Sequence, residues 1–140
     1  MKSIPVSELM TVDVISINRD LQVDDAIRVM RDNQVRRLPV VDLTKRVIGI
    51  ITLDQAIHSL PKEDPRSLFP SLDSDIPAVR EVMTDYVYTV EPEESIARAA
   101  QLMMVHKFGG VPVVKDRKLV GIITESDIFR FIIQEYADDE

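Results

Sequence analysis

Apolar residues recur along this chain in two alternating rhythms, and the alternation itself occurs twice. Val23, Ala26, Ile27 and Met30 stand at i, i+3, i+4 and i+7, and so do Ile96, Ala99, Ala100 and Met103. That spacing lines one face of an α-helix with apolar side chains. After each helix the pattern changes to β-branched runs, 38–42 with 47–51 in the first case and 111–115 with 119–123 in the second. Short polar turns join the runs, so each pair reads as a hairpin. An extended segment precedes each helix, at 14–17 and 87–90, and a short leader precedes that, at 6–10 and 79–83. A second helix follows each hairpin, near 54–60 and 126–135. Pro92 with Glu93 and Glu94 predicts the start of the first helix in the second copy, because proline needs no amide partner there and acids suit the helix dipole. The order is β-α-β-β-α twice, a mixed α/β (α+β) class.

The repetition extends to residue identity. Val6-Ser-Glu-Leu-Met-Thr11 returns as Val79-Arg-Glu-Val-Met-Thr84, Leu38-Pro-Val-Val41 as Val111-Pro-Val-Val114, and Gly49-Ile-Ile-Thr52 as Gly121-Ile-Ile-Thr124. The first two matches share one offset and the third differs by a single residue in a turn, the mark of a duplicated unit. Two copies are too few for a solenoid. The expectation is face-to-face packing about a pseudo-two-fold axis, with a cleft on each side. The copies are placed at 1–60 and 79–136. Between them lies a linker at 61–78 holding Pro61, Pro65, Pro70 and Pro77, half of all the prolines, so it reads as extended or turn-rich. Ser67-Leu-Phe69 is expected to dock onto the body, and the acidic tail at 137–140 to be disordered.

Composition narrows the functional classes. Hydrophobic residues make up 45% of the 140 residues and charged ones 29%, ordinary for a globular protein with a real core. Cysteine is absent, which removes disulfides and thiolate metal sites. With no signal-peptide pattern and no run of ~20 apolar residues, the cytoplasm is the expected compartment. A net charge of −7 argues against a general nucleic-acid or anionic-membrane surface, although local basic spots can bind a small anion.

The candidate chemistry lies in Gly121-Ile-Ile-Thr-Glu-Ser-Asp-Ile128, which ends a strand and opens a helix. Free amides at a helix N-terminus favour an anion, and Thr124 and Ser126 add hydroxyls. Asp127, in the first turn, could accept two hydrogen bonds from a vicinal diol such as ribose. Thr124 and Asp127 also form a capping box, which needs no ligand. The first copy has Thr52-Leu-Asp-Gln55 here, so the cap is kept in both copies and the carboxylate only in the second. A second asymmetry is Arg36-Arg37, matched by Gly109-Gly110. Two adjacent arginines entering a strand point to opposite faces; they read as solvated partners for acids or as a clamp on phosphate.

The leader Met-Thr, the Pro-Val-Val strand and Gly-Ile-Ile-Thr-x-x-Asp, repeated in this order from 6 to 133, resemble a tandem pair of cystathionine-β-synthase (CBS) domains, the Bateman module. The resemblance implies clefts that bind adenosine derivatives such as AMP, ADP, ATP or S-adenosylmethionine, and pairing of modules into disc-like homodimers. Carried over by position, it implies one ligand site from Met10, Thr11, Val14, Ile15, Val35, Arg36, Arg37, Pro39, Thr124, Ser126 and Asp127. The opposite cleft would receive Thr52, Asp54, Gln55, Phe108, Gly109 and Gly110, with Gln55 departing from the family aspartate. The expectation is therefore one competent nucleotide site and one that is degenerate or empty.

Other features read as structural. His58 and His106 make no metal site, and His106 is expected to end a helix, where a cation offsets the dipole. Helical residues 102–105 and 128–133 are apolar on more than one face, which points to burial against a second copy, with packing between the two repeats of one chain as the competing explanation. With no nucleophile-base pair, metal cluster or Walker-type loop, an enzyme is not expected. The leading expectation is a regulatory adenine-nucleotide sensor acting on an effector protein in trans. The alternatives are a dimerisation or interaction module that binds no ligand, and an S-adenosylmethionine-binding module.

Overall fold

The periodic stretch of the first copy forms helix α1 (Val23–Asp32), and Val23, Ala26, Ile27 and Met30 are all buried, as their spacing requires. At its start the Asp25 carboxylate accepts the Gln22 N–H at 3.1 Å, and at its end Asn33 Nδ2 donates to the Val29 carbonyl at 2.8 Å. The protein is seen in a computed structural model that describes residues 3–61, 75–85 and 88–137. Ser67, Leu68, Phe69, Pro65 and Pro70 of the proline-rich segment, and Asp138 to Glu140 of the tail, lie outside them.

The chain divides into two compact units that do not follow chain order. One comprises residues 15–43 and 48–87. Here β1 (Ile17–Asn18) pairs in parallel with β2 (Arg37–Val41), through Ile17 with Val40 and Asn18 with Val41; β3 (Val47–Thr52) follows on the far side of β2. Helix α2 (Leu53–Ser59) leaves β3 directly, and α1 packs against it. The core gathers Ile17, the four buried residues of α1, Leu38, Val40, Ile51, Ala56 and Val79. Val79 belongs to α3 (Val79–Val82), the leader of the second copy. That leader is tied in by Val79 N–H to the Leu21 carbonyl at 2.8 Å and by an Arg80–Asp20 pair at 2.9 Å.

The other unit comprises residues 1–14, 44–47 and 88–140. Its helix α4 (Ile96–His106) buries Ala99, Leu102 and Met103. Its hairpin pairs β4 (Gly110–Lys115) with β5 (Lys118–Thr124), and α5 (Glu125–Tyr136) leaves β5 directly. The leader of the first copy completes this core through Val6, from a 3₁₀ turn at Val6–Glu8. Each unit is therefore finished by the leader of the other copy.

Two local expectations change. Helix α4 begins at Ile96 rather than at Pro92, because the Ser95 hydroxyl supplies its cap, accepting the Ala97 N–H at 3.1 Å. The residues before it close a turn instead, and the Pro92 and Glu94 carbonyls accept from Ser7 and Val6 of the leader at 2.9 and 2.7 Å. The extended segments before the helices are shorter than the patterns suggest. Before α1 the strand is confined to Ile17–Asn18, and before α4 Val90 makes a parallel bridge to Val113. Val87 lies outside the described residues.

Helix α5 has no fully buried residue. Phe129, Ile132, Ile133 and Tyr136 remain exposed, as do Met104 and Val105 on α4, against which α5 packs. Among the described residues no helix is long and apolar enough to cross a membrane.

Candidate functional site

The β5–α5 turn is built from the strand that ends at Thr124 and the helix that this residue caps. The Thr124 hydroxyl accepts the Asp127 N–H at 3.3 Å, and Asp127 Oδ2 accepts the Thr124 N–H at 2.8 Å and its hydroxyl at 3.0 Å. The capping box is thus made in full. Arg130, one turn further on, donates to Asp127 Oδ1 at 3.3 Å. The Asp127 side chain is 10% exposed and the Arg130 side chain 64% exposed. A carboxylate accepts about four hydrogen bonds, so this one keeps capacity for a ligand, more so when the loosely held arginine swings away. Sequence reasoning missed Arg130; Asp-x-x-Arg at helical spacing was the available signal.

Two further candidate residues sit beside this turn. Thr11 pairs with Ile122 through N–H···O bonds of 2.8 and 3.0 Å, one in each direction. This brings Met10 and Thr11 over Gly121, where an added Cβ would lie 2.8 Å from the Thr11 carbonyl oxygen and 2.9 Å from Met10 Sδ. Only a residue without a side chain lets the leader approach so closely. Ser126 is exposed on the first turn of α5, and Val14 is half-buried in the same unit. Met10, Thr11, Val14, Thr124, Ser126 and Asp127 therefore share one unit.

Ile15, Val35, Arg36, Arg37 and Pro39 belong to the other. Ile15 and Val35 are half-buried against its core, and Pro39 is fully buried within β2. The arginine pair enters β2 beside the β3–α2 turn. The Arg36 carbonyl accepts the Leu53 N–H at 2.8 Å, and its guanidinium lies 3.7 Å from the Asp54 carboxylate. Both side chains of this pair are mostly exposed, so it is a weak, screened contact.

The β3–α2 turn repeats the cap with different chemistry. Thr52 and Gln55 form the reciprocal box, and Gln55 also donates to the Thr84 hydroxyl at 3.0 Å. Asp54 is exposed on α2. In the unit of the second copy, Phe108 lies near two rings that sequence reasoning did not connect with it. Tyr88 and His106 stack with centroids 3.9 Å apart, and Phe108 is 5.7 Å from His106 and 6.0 Å from Tyr88. His106 does end α4, but its ring is taken up by this stack as well. Gly110 begins β4, and the Gly109 carbonyl accepts the Glu125 N–H at 3.1 Å, in the way that the Arg36 carbonyl accepts from Leu53.

Two segments, 6–62 and 79–134, match the CBS domain family. The chain belongs to that family. A homoserine O-acetyltransferase of Methanohalobium evestigatum is 32% identical over 128 residues, which is 91% of this chain but 24% of the relative. Several of the curated relatives that the chain matches are longer proteins, of which it spans 24% to 32%. Among solved structures, the CBS domain pair of protein MJ0100 in complex with 5′-methylthioadenosine and S-adenosyl-L-methionine is 25% identical, with a TM-score of 0.80. That likeness covers 96% of this chain and 99% of the other. The protein CBSX2 in complex with AMP is 27% identical with a TM-score of 0.76, covering 93% of this chain and 96% of the other. The chain is thus a pair of CBS domains, and these two similar pairs each hold adenosine compounds.

Proposed function

We propose that this CBS domain pair is a regulatory sensor of an adenine nucleotide, AMP, ADP or ATP, acting on an effector protein rather than catalysing a reaction. The observation that carries the reading is the unequal pair of turns. Asp127 offers a shielded carboxylate with acceptor capacity for a ribose diol, whereas Gln55 spends its carboxamide inside the protein. Met10, Thr11, Thr124 and Ser126 stand with Asp127 in the sugar role. Val14, Ile15 and Val35 are assigned to the base, Arg36 and Arg37 to phosphate, and the buried Pro39 to the support of β2 beneath them. The module acts as a homodimer in the cytoplasm. The exposed Met104, Val105, Phe129, Ile132, Ile133 and Tyr136 support the dimer; a monomer mass by sedimentation at micromolar concentration would end that part of the reading.

A ligand free of phosphate is the second reading, favoured by the compounds in the MJ0100 pair. Thermal shifts with AMP, ADP, ATP, adenosine and S-adenosylmethionine separate the two. A ligand at 100 times its Kd adds about 2.7 kcal/mol, several degrees at this length. The nucleotide reading expects the largest shift from a phosphorylated ligand. Replacing Arg36 and Arg37 together by alanine should then weaken phosphorylated ligands at least tenfold and adenosine little; equal loss for both would sink the phosphate role.

Asp54 provides a finer check. Its contact with Arg36 competes with any phosphate for the same guanidinium. Asp54→Asn should tighten phosphorylated ligands by about two- to threefold, the scale of an exposed ion pair, and leave adenosine unchanged. Calorimetry showing no change for either ligand would mean that Arg36 carries no phosphate.

A further inference from the structure

Gln55 does more than replace an acid. The Thr52 amide can only donate, so the Gln55 atom 2.9 Å from it is Oε1, and the amide orientation is fixed. Nε2 then points at the Thr84 hydroxyl, 3.0 Å away, while the Gln55 N–H donates to the Thr52 hydroxyl at 3.2 Å. Thr84 is the leader residue that the backbone already pairs with Ile50, at 2.9 and 3.0 Å. The matching leader residue in the other unit, Thr11, has the same backbone pairing with Ile122 but stays exposed, whereas Thr84 is half-buried. The difference follows from side-chain length. Asp127 ends one methylene sooner and turns its oxygens to Thr124 and Arg130; Gln55 reaches across to the leader.

We propose that Gln55 is a specificity-determining latch, which fastens the second leader to the β3–α2 turn and so closes that turn to a sugar diol. A vicinal diol brings two O–H donors and needs two free acceptor positions. The Gln55 oxygen already accepts from Thr52, and its nitrogen has nothing to accept with. The first copy has thereby exchanged a ligand contact for a mechanical one. The inference rests on the reading of Asp127 as the diol acceptor in the second copy.

Gln55→Asp recreates the chemistry of the second copy in the first and tests both halves. Freed of a bond worth about 1 kcal/mol, backbone amides at 79–84 should exchange with deuterium about fivefold faster, with those at 6–11 unchanged. Calorimetry with AMP, ATP and S-adenosylmethionine should show one more binding event per chain than wild type. A folded Gln55→Asp protein with no added event overturns the specificity role. Wild type alone reports on the sensor reading: no binding there brings that reading down, while the difference between variant and wild type still decides this one. Thr84→Val cuts the same latch and keeps Gln55, so it should speed exchange at 79–84 without adding a binding event. If it is the only variant that folds, unchanged exchange overturns the latch, and an added event overturns the role of the carboxamide.

Discussion

Asp127→Ala should abolish ligand-induced stabilisation and weaken adenine-nucleotide binding on the order of 100-fold. A diol bound to a carboxylate makes charge-assisted hydrogen bonds worth ~1.5–3 kcal/mol each, and losing about 3 kcal/mol corresponds to that factor. The same change removes the acceptor for the Thr124 N–H and hydroxyl, so the unliganded protein should also lose about 1 kcal/mol from the cap of α5. The two effects separate cleanly. Melting without ligand reads the cap, and titration reads the site. Asp127→Asn keeps an oxygen for the Thr124 amide, so it should restore most of the stability and little of the affinity. Unchanged affinity in the folded alanine variant would remove Asp127 from the site.

The second large effect is expected at Gly121. A Cβ there would press on the Thr11 carbonyl oxygen at 2.8 Å, an atom that already accepts the Ile122 N–H at 3.0 Å. The Met10 thioether can move aside, but a backbone carbonyl held in a two-way pairing cannot do so cheaply. Gly121→Ala should therefore cost about 1–3 kcal/mol, the usual scale of overpacking, and lower Tm by several degrees. Gly49 faces the same conflict with Met83 and the Thr84 carbonyl, at 2.5 and 2.9 Å. Gly49→Ala should destabilise by a similar amount. Ligand affinity should fall only in Gly121→Ala, since only that change displaces Met10 and Thr11. Melting temperatures within a degree of wild type for both variants would refute the steric argument.

How much of this was legible beforehand depended on range. Periodicity found α1 and α4 because a helix face is written in residues three and four apart, and the hairpins because β-branched runs flank short polar turns. The caps at Thr52 and Thr124 were readable for the same reason, since box and cap lie three residues apart. The start of α4 was misplaced because Pro92-Glu-Glu resembles a helix opening; distant leader residues take its carbonyls, and no local rule sees them. Gln55 could be singled out as a departure from Asp127, yet its bond to Thr84 spans 29 positions and has no local signature. The stack of Tyr88 on His106 was hidden likewise. The exposed contact of Arg36 with Asp54 depends on how the chain returns after a hairpin, not on spacing.

The exchange of leaders has a consequence for how the protein is made. During synthesis Val6 and Ser7 are made more than eighty residues before the Glu94 and Pro92 carbonyls that accept their N–H groups, and before the core residues Val113 and Ile123. Residues 6 and 7 must therefore wait for these contacts until the second copy has been made, while 15–43, 48–61 and 75–84 can already assemble. Two genes split at the linker would each encode a fragment lacking one piece of its own core. Neither fragment should be stable alone, and mixing the two should restore both.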